Sequence, residues 1–273
     1  MTGTLYTPPR TVAPDDLLVN SNFRNPVNQR GKTIYTPTSI SYTIDRWMIN
    51  GVSSGAGELD ITGDGVRVSP IQDYVDLSQN IEQYSRLKGH VCTAVVCANG
   101  EISSGCCYMG ETADPVTLGP VKLYSINARN VIFRAYEPVT LQWAALYEGV
   151  YTADMLPPYI PRPYGVVLTE CQRYYYQTWD GPTPATTAGI VACEAITDAR
   201  LGVHIALPVQ MRITPTITFY NSSGETGTWK EWISGTRVSV SAVYNNSKSF
   251  MVGAEKAVKG LYYAGHYCAS CEP

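Results

Sequence analysis

Aromatic side chains in the second half of the chain come closest, by type and spacing, to a binding chemistry. Tyr174, Tyr176 and Trp179 lie within six positions, and Trp229 and Trp232 are separated by two residues. Flat rings stack on the apolar faces of sugars, while neighbouring polar groups orient the sugar hydroxyls. We therefore predict these five residues as ligand-binding candidates. Packing in a core or at a subunit interface is the commoner use of such rings.

No pattern of nucleophile, base or metal ligand indicates an enzyme. Glycan-cleaving enzymes need two carboxyl groups, but Glu58 and Asp60 alternate with apolar residues, which is typical of the solvent face of a strand. His90, His204 and His266 are scattered along the chain. There is no glycine-rich phosphate loop and no zinc-protease helix motif. We expect no catalytic residue, no metal and no cofactor.

Eight cysteines are present without the spacing of a disulfide-stabilised secreted scaffold. Cys92 and Cys97 lie in an apolar stretch, where a free thiol packs as a small hydrophobic group. Cys268 and Cys271 form a single CxxC pair, and a zinc site would need a second pair of ligands. Structural thiols are predicted, with a metal site or a disulfide as the alternative.

Alternating apolar and polar residues predict β-strands along most of the chain, because side chains on a strand point to opposite faces in turn. Leu59 and Ile61 alternate with polar neighbours, a Gly-Asp-Gly turn follows at 63–65, and the alternation then resumes. This pattern is typical of a β-hairpin. Further strands are predicted at 91–98, 131–136, 139–146, 213–220, 228–234, 237–244 and 260–268.

One short stretch has helical spacing: Ile81, Tyr84 and Leu87 recur before Gly89, a residue that can end a helix. Residues 168–176 fit a strand or a helix equally well. Several short strands with turn residues between them indicate a β-sandwich. The predicted fold class is therefore all-β.

Prolines mark the boundaries of the predicted domains. Residues 1–16 contain three prolines and no periodicity, which predicts an extended N-terminal arm that docks into a larger assembly, with a disordered terminus as the equal alternative. Four prolines fall between 157 and 163, a density that neither a helix nor a central strand tolerates. We predict a semi-rigid linker at 151–164, with a first β-module at 17–150 and a second at 165–273.

The charge pattern narrows the choice of partners. The formal net charge is −3, only 16% of residues are charged, and no dense basic block is present. We therefore expect no nucleic-acid partner. No apolar run approaches the roughly 20 residues of a spanning helix, so we expect no membrane insertion. The first residues lack the pattern of a secretion signal, which indicates assembly inside a cell.

Several stretches resemble a family of bacteriophage and prophage virion structural proteins with a carbohydrate-binding-module-like jelly roll. The similar stretches, in the order expected for that family, are LLVNSNFRNPVNQRG (17–31), YTIDRW (42–47), QNIEQYSRLKGHVCTAVVC (79–97), the junction that ends in ECQRYYYQ (141–177) and ALPVQMRITPTIT (206–218). Within YTIDRW, we expect Asp45 and Trp47 on one strand face and Arg46 on the other. Trp47 would then fill the core, and Arg46 would bridge a carboxylate or carbonyl at the sandwich rim.

The resemblance implies an N-terminal jelly-roll β-sandwich followed by a second β-rich module in a non-enzymatic virion protein of tail-fibre, baseplate or head-fibre type. It also implies a homo-oligomer, most often a trimer, assembled in the bacterial host cytoplasm. The N-terminal arm would contact other virion proteins. The resemblance does not identify sugar-binding residues, so binding of host-surface glycans as receptors by the five aromatic residues is expected from their types and spacing alone. One alternative is a purely structural capsid-fibre or collar protein that binds no sugar. Another is a glycan-degrading virion enzyme.

Overall fold

The computed structural model describes residues 14–49, 56–110, 115–125 and 129–272, and nearly all of its regular structure is antiparallel β-strand. The all-β prediction is confirmed. The first half contains β1 Ile34–Tyr35, β2 Ser41–Tyr42, β3 Met48–Ile49, β4 Gly57–Thr62, β5 Gly65–Pro70, β6 Val75–Asn80, α1 Tyr84–Leu87, β7 Val91–Ala98, β8 Glu101–Tyr108, β9 Val116–Leu118, β10 Val121–Ser125, β11 Asn130–Ala135 and β12 Val139–Glu148. The second half contains α2 Tyr164–Gln172, β13 Tyr175–Gln177, β14 Val191–Thr197, β15 Arg200–Ala206, β16 Thr216–Tyr220, β17 Thr228–Glu231, β18 Arg237–Val243, β19 Ser249–Glu255 and β20 Tyr262–Ser270.

The first module is a sandwich of two six-stranded sheets. One has the order β1-β4-β5-β12-β7-β8 and the other the order β2-β3-β6-β11-β10-β9. Alternate residues of both sheets point inward and form one shared core. Trp47 is fully buried there, with its ring centroid 5.1 Å from that of Phe23 and 6.1 Å from that of Phe133. The prediction that Trp47 fills the core is confirmed.

The predicted hairpin is present as β4 and β5, with Leu59 opposite Val68. Gly65 closes the turn with a φ of +149°. A Cβ atom at this position would lie 2.2 Å from the Leu141 carbonyl oxygen of the neighbouring β12. Glycine is therefore needed both for the backbone conformation and for the close approach of the next strand.

Residues 44–46 form a tight turn between β2 and β3, not the strand expected from the sequence. The Trp47 amide donates to the Ile44 carbonyl at 3.0 Å, and Arg46 adopts a φ of +73°. The prediction that Asp45 and Trp47 share a strand face is therefore wrong. The turn lets Trp47 enter the core while Asp45 and Arg46 extend towards the second module.

The proline-rich linker packs against the first module. Between β12 and α2 it forms no strand or helix, and the ring of Tyr159 stacks on Trp143 of β12 at 4.3 Å and 4°. Tyr151 and Leu156 join the same small apolar cluster on the outer face of the sheet. The linker is thus attached to the sandwich at Tyr151, Leu156 and Tyr159. Residues 168–176, for which the sequence fitted a strand or a helix, form the end of α2 and the start of β13.

The long strand β20 organises the second module. Its first half pairs with β14, Val191 opposite Gly265, and with β17, Lys230 opposite Ala264. Because β14, β15, β19, β18 and β17 follow one another in hydrogen-bonded order, β20 closes them into a six-stranded barrel. Its second half lies between β13 and β16. The segment around the CxxC pair therefore connects the barrel to the junction between the modules.

Residues 1–13 of the predicted N-terminal arm lie outside the described residues. At the arm's end, the Asp16 carboxylate accepts hydrogen bonds from the Leu18 and Leu146 amides at 3.0 and 2.9 Å, and from the Ser21 hydroxyl at 2.7 Å. These bonds attach the chain to β12 where the sandwich begins. No helix among the described residues is long and apolar enough to cross a membrane.

Candidate functional site

The structure separates the five predicted aromatic residues, and three of them are buried: Trp229, Tyr174 and Trp179, which is 7% exposed. Trp229 is 0% exposed inside the barrel core, and Tyr174 is 2% exposed beneath the Arg46 guanidinium. Neither ring presents a surface to a ligand, so packing replaces the predicted ligand contact at both positions. The physical reason is that β17 turns Trp229 inward, while Tyr174 lies where the two modules meet.

Tyr176 and Trp232 occupy two further environments. Tyr176 is half-buried, with its ring centroid 5.9 Å from that of Tyr267 in the second core. Trp232 is 61% exposed just beyond β17, beside the 89% exposed Ile233. A shallow apolar patch at the rim of the barrel is lined by Trp232 and Ile233 together with Leu261 and Tyr262.

Trp179 lines a cleft of about 530 Å³ between the two modules, which we call the junction cleft. The wall from the first module is rich in hydroxyl groups, and the wall from the second is rich in rings. The lining comprises Arg30, Lys32, Ile34, Tyr35, Thr36, Pro37, Thr38, Ser39, Ser41, Tyr42, Thr43, Tyr175, Gln177, Trp179, Pro182, Pro184 and Tyr220. Its size and its mixture of polar and aromatic groups fit a small polar ligand.

Arg30 lines the junction cleft, and its guanidinium contacts one aromatic ring and two carboxylates. Its guanidinium carbon is 3.9 Å from the ring centroid of Tyr175, and it forms ion pairs with Asp45, at 2.9 Å, and with Glu272. Gln29 donates to the Tyr175 carbonyl at 2.7 Å and to Asp45 at 3.0 Å. The stretches 17–31, 42–47 and 141–177, separate in sequence, therefore meet at this point.

Burial dominates the electrostatics of the two carboxyl groups that flank Arg30. Desolvation raises the pKa of Asp45 to about 6 and that of Glu272 to about 7, although the charge of Arg30 favours the ionised form of both. Neither carboxyl lines the junction cleft. Within the described residues, the cleft therefore presents rings, hydroxyls, one arginine and one lysine to a ligand, without the carboxyl pair that glycan cleavage requires.

The pKa values of Asp45 and Glu272 predict a pH-dependent stability. Both native pKa values lie above the ordinary 3.8 and 4.5, so their contribution is fully present below about pH 4. It is lost as the pH rises through about 6 for Asp45 and about 7 for Glu272. The free energy of unfolding in urea should fall between about pH 4 and about pH 7, and less steeply in the double variant Asp45→Asn, Glu272→Gln. Equal slopes in both proteins would contradict this account.

Trp179 combines a packed ring with an unused donor. Its ring meets Tyr220 edge-on at 5.3 Å, and its carbonyl accepts from the Gln177 amide at 2.9 Å. The indole Nε1 is buried and has no hydrogen-bond partner among the described residues. A buried donor without a partner is costly, and the same burial closes this nitrogen to a ligand in the cleft.

His266, beside Trp179, has a structural role. Its Nε2 lies 2.8 Å from the Thr186 carbonyl oxygen, which can only accept, so Nε2 carries the proton. Its Nδ1 lies 3.1 Å from the Thr178 hydroxyl. Both ring nitrogens of this fully buried imidazole are therefore occupied by neighbours within the second module.

The thiols offer no metal centre within the described part of the chain, where no group of three His, Cys, Asp or Glu side chains could hold an ion. All eight cysteines are free, and Cys106 is exposed while the others are buried. Burial raises the pKa of Cys107 and of Cys193 to about 12. Such thiols stay protonated near neutral pH and pack as apolar groups.

Of the residues that line the junction cleft, the sequence predictions named Trp179 but not Arg30 or Tyr220. They did not name Glu272, which pairs with Arg30, either. An arginine followed by glycine is common in turns and does not by itself indicate a functional site. The role of Arg30 at the junction comes from its contacts with Tyr175 and Glu272, which lie far along the chain. Comparisons with protein-family models, with curated proteins and with solved structures find no match to this chain. The chemistry of the junction cleft is therefore inferred from its lining.

Proposed function

We propose that this chain is a structural and adhesion protein of a bacteriophage or prophage virion, of fibre or baseplate type, and that it binds host-surface glycans in the junction cleft. The observation that carries the glycan part is the lining of the cleft, where hydroxyls from one module face rings from the other. The virion part rests on the resemblance of the stretches that meet at Arg30. The fixed contact between the two β-modules supports both the virion part and the adhesion part of the proposal, because a protein that transmits force needs modules that keep their relative position.

The proposed contacts follow from the groups that line the cleft. Tyr220 offers its half-buried ring for the apolar face of a pyranose, and the largely buried Trp179 packs edge-on against it. The hydroxyls of Thr36, Thr38, Ser39 and Ser41, on the opposite wall, suit sugar hydroxyls. Each site would bind weakly, and a homotrimer would gain avidity by presenting three of them together.

A Tyr220→Ala variant should bind a glycan about fivefold more weakly than the wild type, because a ring contact is worth about 1 kcal/mol. The intact oligomer is first applied to an array of bacterial surface glycans, and the best ligand is then titrated calorimetrically. Tyr244→Ala is the matched control, since this tyrosine is 66% exposed and lies outside the cleft. Unchanged affinity in Tyr220→Ala would place the sugar elsewhere.

The purely structural alternative makes different predictions for the same array. If the intact oligomer binds no host-surface glycan, the adhesion role is rejected and a capsid-fibre or collar protein remains. Antibody labelling of intact particles tests the virion assignment by itself, and a mass measurement in solution tests the trimer. Release of reducing ends from host polysaccharide would instead indicate a glycan-degrading enzyme.

A further inference from the structure

A second pocket lies at the same junction and shares no lining residue with the junction cleft. It has a volume of about 90 Å³ and is formed mainly by the turn after β2, the start of α1 and the ends of two loops. Its charged lining consists of Arg46, Arg129, Arg212 and Glu82. We call it the arginine pocket. It is far below the roughly 300 Å³ needed to enclose a drug-sized molecule.

Arg46 has most of its hydrogen-bonding capacity unused, although it is only 2% exposed. Its Nη2 donates to the Asn80 carbonyl at 2.7 Å, and its guanidinium lies 3.6 Å above the ring of Tyr174. Its Nε and Nη1 are buried and have no hydrogen-bond partner among the described residues. A buried cation without an acceptor is costly, and an ion or water bound beside it is the usual explanation.

The charged groups that line the arginine pocket are not balanced. Arg129 and Arg212 line the same pocket, and none of the three arginines forms an ion pair with a carboxylate in the described ranges. Glu82, the one carboxylate in the lining, is already held by Arg173, with two nitrogen–oxygen distances of 2.9 and 3.2 Å. An excess of positive charge therefore remains at the pocket.

We infer that the arginine pocket binds a small tetrahedral oxyanion of the phosphate or sulfate class. Guanidinium groups that approach from different chain segments match an anion with oxygens on all sides better than a planar carboxylate. A dianion also fits three arginines that form no ion pair in the described ranges better than a monoanion. The volume holds a few waters or one such anion.

This site is independent of glycan binding in the junction cleft. Arg46 belongs to the stretch 42–47 and Arg212 to the stretch 206–218, so the anion would join parts of the two modules. Arg212 already contacts the junction, since its amide donates to the Arg173 carbonyl at 2.9 Å. A bound oxyanion would therefore also tighten the contact between the modules.

The test is calorimetric titration of the full chain with inorganic phosphate, sulfate and acetate, with chloride keeping the ionic strength constant. We expect phosphate or sulfate to bind measurably and acetate to bind at least about tenfold more weakly. Arg212→Ala should weaken phosphate binding about tenfold, the effect of losing one charge-assisted hydrogen bond. Arg212 is exposed and forms no side-chain hydrogen bond or ion pair within the described ranges, so the variant should fold.

Arg129→Asn is the second variant, because Arg129 has a φ of +71° and asparagine tolerates this conformation. Arg67→Ala is the matched control: it removes the same charge from an exposed position on β5, outside the pocket. The inference is overturned if phosphate and sulfate bind no better than chloride. It is also overturned if acetate binds as tightly as phosphate, or if the pocket variants and Arg67→Ala behave alike.

Discussion

Arg30→Ala is expected to destabilise the protein by about 3–5 kcal/mol, the usual effect of removing one partner of a buried ion pair. The side chains of Asp45 and Glu272 are 1% and 5% exposed, so both carboxylates would stay buried without their cation. The stacking of the guanidinium on Tyr175 would be lost as well. Urea unfolding near neutral pH, followed by circular dichroism, measures the effect.

Arg86→Ala is the matched control for this experiment. Arg86 pairs with Glu148 at 2.5 Å, but the two side chains are 52% and 37% exposed. Exposed pairs contribute little, about 0–1 kcal/mol. Equal losses in the two variants would show that burial of the carboxylates does not govern the stability of the junction. The loss in Arg30→Ala should also shrink at acidic pH, because protonated carboxyls no longer need the cation.

Gly265→Ala should destabilise the second module by about 3 kcal/mol, the upper part of the range for overpacking a core. A Cβ atom at residue 265 would lie 2.1 Å from Cδ1 of Trp229. The indole cannot move aside easily, because it is fully buried and its Nε1 donates to the His266 carbonyl at 3.2 Å. Chemical denaturation of the full chain, followed by tryptophan fluorescence, measures the loss.

A double-mutant cycle separates this clash from an effect of alanine on the strand. In a Trp229→Leu background the smaller side chain leaves room, so the further cost of Gly265→Ala should fall by about 1 kcal/mol or more. Gly63→Ala is the control, because a Cβ atom at residue 63 meets nothing within 4 Å. Additive effects in the cycle would refute the proposed contact between Trp229 and residue 265.

The strands of the first module followed from local sequence. Residues 58–69, 91–98 and 139–146 were predicted from alternation and are present as β4 with β5, β7 and β12. Alternation depends only on near neighbours, which is why it can be read without the fold. The turn at residues 44–46 was missed because Arg46 adopts a positive φ that its residue type does not indicate.

The junction depends on contacts between distant residues. Arg30 and Glu272 are 242 positions apart, and the Gln29 side chain reaches the carbonyl of Tyr175, 146 positions away. No local spacing predicts such contacts. The resemblance covers the stretches that contain Arg30, Arg46 and Tyr174, but it does not predict their contacts. Only the packing of the two modules brought Arg30 beside two buried carboxyls and Arg46 beside Tyr174.

Aromatic composition by itself determined that the second module would contain several ring-rich strands, and the tertiary structure decided the role of each ring. Trp229 lies on β17, and Trp232 lies just beyond its end. Closure of the barrel by β20 turned Trp229 inward, while Trp232 stayed 61% exposed. Alternation distinguishes the two faces of a strand, but only its pairing with other strands decides which face meets the core.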